Sequence, residues 1–166
     1  GQVSITGRFS RDRFFDDVQR HRPTFFSAVP AIYALLSALP DEVRPDTSSL
    51  RFAVCGAAPM PAELIERVEQ RFGLTIVEGY GLSETTCASA INPLTGQRKP
   101  GTVGLPLPGQ QVAIITEDGA QAAPGEVGEV VIAGPVVMAG YLNRPEATAQ
   151  TIIDGWLRTG DLGVFD

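Results

Sequence analysis

Residues 50–86 read LRFAVCGAAPMPAELIERVEQRFGLTIVEGYGLSETT, and the parsing of this stretch decides the fold. Leu50 to Cys55 is a short apolar strand, and Pro61 opens a helix whose Leu64, Ile65, Val68 and Phe72 recur at helical spacing. Gly73 stops that helix, and Thr75-Ile76-Val77 is a second, β-branched strand. Strand, helix and strand in so short a span make a βαβ unit, with a right-handed crossover and parallel strands. Parallel neighbours end on one edge of their sheet. Gly56-Ala57-Ala58-Pro59, after the first strand, therefore falls beside Gly79-Tyr80-Gly81 after the second, and open α/β sheets bind ligands at that edge.

The residues at this edge allow two readings. Gly56, Ala57 and Ala58 leave room for a planar group such as a purine, Gly79 and Gly81 permit close approach, and Tyr80 offers a flat face between them. Ser83 and Glu84 set a hydroxyl beside a carboxylate, a pair suited to a phosphate oxygen and the divalent cation that neutralises it. Alternatively, the small residues serve close packing of helix on strand. The polar ones then make a strand-to-helix turn in which Ser83 is the cap and Glu84 complements the helix dipole.

Outward from this stretch, the pattern divides the chain into an α/β half, residues 1–97, and a β-rich half, residues 98–166, joined in the loop from Leu94 to Gly101. In the first half, Ser10 caps a helix running to about His21 with Phe14, Phe15 and Val18 on one face. Thr24 to Val29 is a strand, and Pro30 opens a helix over 31–39. In the second half, Gln111 to Thr116 and Glu126 to Ala133 flank a turn at Asp118-Gly119 and a loop through Pro124-Gly125, a pattern fit for a small antiparallel barrel or curled sheet. Arg144 to Ile152 reads as a helix. The expected fold class is α/β: part of a mostly parallel sheet with flanking helices, followed by a small antiparallel β-barrel-like subdomain.

Composition narrows the function. A chain of 166 residues that is 43% hydrophobic and 19% charged can bury a core, and no apolar run approaches the ~20 residues of a membrane helix. A net charge of −6 argues against a nucleic-acid partner or an anionic membrane surface, so any phosphate must be held locally. The pattern points to the cytoplasm. Cys55 and Cys87 lack metal-ligand spacing and read as reduced, small packing residues. Only Lys99 of the 13 basic residues is a lysine, which limits the choice of a catalytic lysine. Gly1-Gln2-Val3-Ser4-Ile5-Thr6 and Leu162-Gly163-Val164-Phe165-Asp166 read as strand interiors, which suggests an internal piece of a longer protein.

Cys55-Gly56-Ala57-Ala58-Pro59, Glu78-Gly79-Tyr80-Gly81-Leu82-Ser83-Glu84-Thr85-Thr86 and Trp156-Leu157-Arg158-Thr159-Gly160-Asp161 resemble, in order and separation, the signatures of adenylate-forming enzymes. Pro100-Gly101-Thr102-Val103-Gly104, the segment from Gly125 to Gly134, and Gly140-Tyr141-Leu142-Asn143-Arg144-Pro145-Glu146 extend the resemblance over nearly the whole chain. Leu82, where amino-acid-activating domains more often have proline, tilts it toward the acyl-CoA synthetases and luciferases, and toward a fatty or aryl acid.

The resemblance implies an ATP-dependent acid–thiol ligase that uses ATP, Mg²⁺ and coenzyme A. A carboxylic acid is joined to AMP, and the acyl group is then passed to coenzyme A. By the same resemblance Gly56, Ala57 and Ala58 border the adenine and Tyr80 packs on it, within a nucleotide-binding segment Glu78-Gly79-Tyr80-Gly81. Ser83 meets a phosphate oxygen, Glu84 holds Mg²⁺, and Asp161 accepts from both ribose hydroxyls. Ser83 departs from the commoner threonine, which keeps the hydroxyl and loosens the packing. Val29, Gly79, Cys87 and Ala88 lie against the acid. The family's phosphate loop belongs upstream of Gly1 and its catalytic lysine beyond Asp166. The isolated chain is therefore expected to be inactive, and to self-associate through exposed sheet edges.

Two other classes fit parts of the pattern. Gly81-Leu82-Ser83-Glu84-Thr85 partly mimics the elbow of a serine hydrolase, with Ser83 as nucleophile and His21 as the one available histidine base. A non-catalytic nucleotide-binding or interaction module on an α/β scaffold is the other.

Overall fold

The contacts of the computed structural model, which describes residues 1–5 and 7–166, divide the chain into two compact units. One comprises Gly1–Tyr80 with Ile91–Gly104, and the other Gly81–Ala90 with Leu105–Asp166. The pattern suggested a single joint between residues 97 and 98; the loop from Gly81 to Ala90 instead belongs with the later residues. Its bonds explain why. Leu107 N–H donates to the Ser89 carbonyl (2.9 Å), Gln110 Nε2 to the Ala88 carbonyl (3.0 Å) and Met138 N–H to the Glu84 carbonyl (2.8 Å), and such remote pairings leave no local trace in sequence.

In the first unit the βαβ unit forms from the two periodicities that announce it. Strands β1 (Phe25–Ala28), β2 (Phe52–Cys55) and β3 (Ile76–Tyr80) run parallel, with Ala28 opposite Cys55 and Cys55 opposite Glu78. Helices α1 (Phe14–His21), α2 (Pro30–Ser37) and α3 (Ala62–Phe72) supply the core. Phe15, Val18, Tyr33, Leu36, Ile65, Val68 and Phe72 are buried in one cluster with the inward strand residues Ala53, Cys55 and Ile76. Pro30 occupies the first turn of α2, where its missing N–H costs nothing, and Gly73 closes α3 at φ 62°. The Tyr33 hydroxyl donates to the Val54 carbonyl (2.7 Å), and burial raises its pKa above the ordinary tyrosine range.

Three local expectations change. Ser10 does not cap α1: residues 11–13 form a turn in which Arg13 N–H donates to the Ser10 carbonyl, and the helix starts at Phe14 without a side-chain cap. Residues 1–5 form no strand, leaving Val3 and Ile5 exposed without ladder partners, and Thr6 lies outside the described residues. Strand β3 continues through Glu78 and Gly79 to Tyr80 rather than ending at Val77, because Asn92 N–H donates to the Glu78 carbonyl (2.8 Å) and extends the ladder.

A polar knot fixes the start of β3. Glu69 of α3 accepts from the Ile76 N–H (2.7 Å) and from Arg98 Nη1 (2.6 Å), and the same nitrogen donates to the Ile76 carbonyl (2.7 Å). Glu69→Ala strands a half-buried guanidinium and a strand N–H, at about 1–3 kcal/mol for each unsatisfied group. Urea unfolding is expected to show a loss of about 2–4 kcal/mol, with Glu69→Gln losing clearly less. A loss below about 0.5 kcal/mol would mean that water substitutes fully for the carboxylate.

In the second unit, β6 (Gln111–Ile115), β7 (Gly128–Ala133), β8 (Ile152–Ile153) and β9 (Trp156–Gly163) form one antiparallel sheet in the order β6-β7-β9-β8. A register shift between Glu129 and Val131 curls it into an open half-barrel. Ile114, Ile132 and Leu157 are its buried residues on one face. Helix α4 (Pro145–Thr151) ends where β8 begins, and Asp154-Gly155, at φ 50° and 82°, makes a two-residue turn into β9. Short strands β4 (Ala90–Ile91) and β5 (Leu105–Pro106) lie where the chain passes between units. Among the described residues no helix is long and apolar enough to cross a membrane.

Candidate functional site

The first unit presents a built strand edge. Because Ala28, Cys55 and Glu78 are aligned across the sheet, Val29 and Gly56, the first residues after β1 and β2, fall at the level of Gly79 in β3. A Cβ on Gly56 would sit 3.3 Å from the Gly79 carbonyl oxygen, so a larger residue would push the two chains apart. Ala57 turns the backbone at φ 67°, a left-handed conformation unusual for a residue with a side chain, and Ala57 and Ala58 are exposed. Val29 is exposed and Tyr80 half-buried. The edge therefore brings together Val29, Gly56, Ala57, Ala58, Gly79 and Tyr80.

Glu78 contributes differently from its neighbours. Its side chain is buried, and Oε2 accepts from the Gly101 N–H at 2.8 Å. Burial raises the Glu78 pKa, opposed by backbone hydrogen bonds from Gly101 and Met60. It pins the loops after β2 and around Gly101 beneath the edge, so what it offers a ligand is the placement of the backbone. Burial and the Glu78 charge push the Cys55 thiol up to about 11, in keeping with an inert packing residue.

In the second unit the loop after Gly81 is tightly determined. Ser83–Thr85 is a single 3₁₀ turn, with Leu82 at its N-terminus. Thr85 is fully buried, and its hydroxyl both accepts from the Leu82 N–H (3.1 Å) and donates to the Leu82 carbonyl (3.2 Å). With Thr85 turned in, Ser83 is exposed and Glu84 half-buried. Thr86 and Cys87 then both take left-handed conformations, at φ 54° and 83°, and Cys87 N–H closes the loop onto the Leu82 carbonyl at 3.0 Å. A Cβ on Gly81 would fall onto the Cys87 carbonyl, so the position accepts only glycine.

This loop corrects three expectations. Ser83 caps no helix, since the turn is three residues long. Nor is it the strained residue of a hydrolase elbow, because the strain lies at Thr86 and Cys87. Cys87 is exposed rather than packed, since its left-handed backbone turns it outward from the buried Thr85.

Glu84 is oriented by a residue to which the sequence assigned no role. Tyr141 donates its hydroxyl to Glu84 Oε1 at 2.9 Å, and this bond to the carboxylate raises the tyrosine pKa. Pairing over 57 positions has no local signature, although Tyr141 stands in one of the quoted motifs. Asp161 lies exposed on β9, after Gly160 at φ 75°, and its N–H donates to Thr159 Oγ1 at 3.1 Å. Glu129 shapes this end of the strand by accepting from Gly160 N–H (3.0 Å) and Arg158 Nε (2.8 Å).

Among the described residues no group of three or more histidine, cysteine or carboxylate ligands exists. Mg²⁺ fits the donor set: it is commonly held by one or two carboxylates with the remaining positions left to water and substrate phosphates, and Glu84 is one half-exposed carboxylate fixed through a single oxygen.

The family model described as AMP-binding enzyme matches residues 1–142. A long-chain-fatty-acid–CoA ligase of Bacillus subtilis is 43% identical over 90% of the chain and 27% of its own length. A sulfoacetate–CoA ligase of Cupriavidus necator is 40% identical over 100% of the chain and 32% of its own length. The crystal structure of ATP-bound MatB from Rhodopseudomonas palustris superposes with a TM-score of 0.87 at 33% identity, covering 96% of this chain and 31% of that one. The chain thus spans about a third or less of the length of these relatives. With most of its residues inside one family model, the chain belongs to the AMP-binding enzyme family.

Proposed function

We propose that this chain is part of an ATP-dependent ligase that converts a carboxylic acid to an acyl-adenylate and passes the acyl group to the thiol of coenzyme A. The observation that carries the reading is the turn at Ser83 and Glu84, where an exposed hydroxyl precedes a carboxylate held by Tyr141. In this reading Gly56, Ala57 and Ala58 border the adenine and Tyr80 packs on it. Gly79 and Gly81 let backbone approach the ligand, Ser83 donates to a phosphate oxygen, and Asp161 accepts from the ribose hydroxyls.

The chemical difficulty is that two anions must meet, the acid's carboxylate and the α-phosphate, as pyrophosphate leaves. A bound Mg²⁺ supplies positive charge against the phosphates. The residues of this chain would contribute binding and orientation: Glu84 would hold the cation through its carboxylate, and the firmly bonded turn would present the Ser83 hydroxyl to a phosphate oxygen with little reorganisation. Val29, Gly79, Cys87 and Ala88 lie along the acid. Their apolar or small character favours a fatty acid, and the setting is cytoplasmic.

The test uses the full-length protein with ATP, Mg²⁺ and a panel of fatty, aryl and short polar acids. Mass spectrometry should detect an acyl-adenylate, and pyrophosphate should appear only when a competent acid is present. Pyrophosphate release that is independent of any acid, with no acyl-adenylate across the panel, would reject the reading.

A further inference from the structure

We propose that Tyr141 is a positioning residue for Glu84, fixing one carboxylate oxygen so that the other is presented to a divalent cation bound with the nucleotide. The inference rests on the proposed metal role of Glu84. Its ground is a set of bonds that tie the 136–148 segment to the turn at both backbone and side-chain level. Met138 N–H donates to the Glu84 carbonyl at 2.8 Å, and the Thr86 hydroxyl donates to the Val136 carbonyl at 2.9 Å. The first bond holds the Glu84 carbonyl, and the second ties the turn to the same segment two residues further on. The side chain still has three rotatable bonds, and the Tyr141 hydroxyl at 2.9 Å from Oε1 is what restrains them.

Tyr141 is itself held. Its N–H donates to Thr148 Oγ1 (2.9 Å), and that hydroxyl donates to the Arg144 carbonyl (2.9 Å). Gly140, at φ 147°, lets the chain pass close to α4, since a Cβ there would sit 2.8 Å from Thr148 Cγ2. The first turns of α4 thus aim a rigid aromatic donor at a flexible carboxylate. Tyr141 as a residue is 36% exposed, and its hydroxyl is spent on one oxygen of an ionisable, half-buried side chain. A hydroxyl that presents one oxygen and leaves the other needs this placement. Hydrogen bonds to charged groups are strong enough that losing the restraint should be measurable, on the order of 10-fold in cation affinity.

The experiment measures Mn²⁺ binding by electron paramagnetic resonance, in the full-length protein saturated with ATP, for the unmodified protein, Tyr141→Phe, Glu84→Gln and the double variant. Tyr141→Phe should weaken Mn²⁺ about 10-fold. In the Glu84→Gln background the same change should have no further effect, because the group it acts through is gone. It should also raise the Mg²⁺ concentration needed for half-maximal adenylate formation while leaving the rate at saturating Mg²⁺ within about threefold. Tyr141 is partly exposed, so the phenylalanine variant should fold, and its melting curve is recorded alongside. Unchanged Mn²⁺ affinity in Tyr141→Phe, with Glu84→Gln strongly weakened, would overturn the positioning role and leave the metal role of Glu84 intact. An equal loss from Tyr141→Phe in both backgrounds would likewise overturn it. Unchanged affinity in Glu84→Gln would reject the metal reading itself.

Discussion

Glu84→Gln is expected to slow acyl-adenylate formation in the full-length protein at least ~100-fold, a barrier increase of about 2.7 kcal/mol. The glutamine keeps the shape of the side chain, and its carbonyl oxygen can still accept from the Tyr141 hydroxyl, which lies 2.9 Å from the carboxylate. The Met138 bond to the residue's own backbone is untouched, as are the Thr85 bonds that close the turn. What changes is charge: a neutral amide is a poor ligand for a hard divalent cation. Single-turnover measurement of acyl-adenylate and pyrophosphate across a Mg²⁺ titration separates the effects. Raising Mg²⁺ should restore part of the loss, and the melting temperature should stay close to that of the unmodified protein. Near-normal pyrophosphate release at ordinary Mg²⁺ would remove Glu84 from the metal site.

How far the sequence announced this site depended on whether a feature is local. Ile65, Val68 and Phe72 recur at helical spacing, Gly73 stops the helix, and the β-branched residues follow, so the βαβ unit and its shared strand edge were legible in one short stretch. Pro30 marked the start of α2 for the same reason. The continuation of β3 was not legible, because Glu78-Gly79-Tyr80 carries no strand alternation and is held by the remote Asn92 N–H. The turn at Asp154-Gly155 carried a local signal, a favoured pair for a two-residue hairpin, but the strand before it, Ile152–Ile153, is only two residues long and overlaps the helix expected to reach Ile152. The loop from Gly81 to Ala90 was assigned to the first half of the chain because its bonds to Leu107, Gln110 and Met138 have no sequence pattern at all.

The same loop stores backbone strain. Thr86 is β-branched and left-handed, a conformation that costs on the order of 1–3 kcal/mol, and Cys87 follows it in the same region. Two neighbouring departures persist only where surrounding bonds over-determine the backbone. Here those are the buried Thr85 hydroxyl, the Cys87 N–H to Leu82, and the Thr86 hydroxyl to Val136. A turn held this firmly can present Ser83 and Glu84 in one arrangement, which is what electrostatic preorganisation requires of a site.

Asp161→Ala is expected to weaken ATP roughly 10- to 150-fold in the full-length protein, because a hydrogen bond to a charged group typically contributes about 1.5 to 3 kcal/mol. The fold should be spared. Asp161 is exposed on β9, and the turn that precedes it is fixed by others: Gly160 N–H by Glu129, and the Asp161 N–H by the Thr159 hydroxyl, which itself donates to the Val130 carbonyl at 2.7 Å. An alanine keeps both backbone bonds and removes the carboxylate. If that carboxylate accepts from both ribose hydroxyls, the unmodified protein should bind 2′-deoxy-ATP more weakly than ATP, and the variant should bind the two nearly alike. Equilibrium titration of both nucleotides against both proteins gives four affinities and one coupling. Should unmodified protein and variant discriminate equally between ATP and its 2′-deoxy form, Asp161 does not hold the ribose, whatever the variant does to overall affinity.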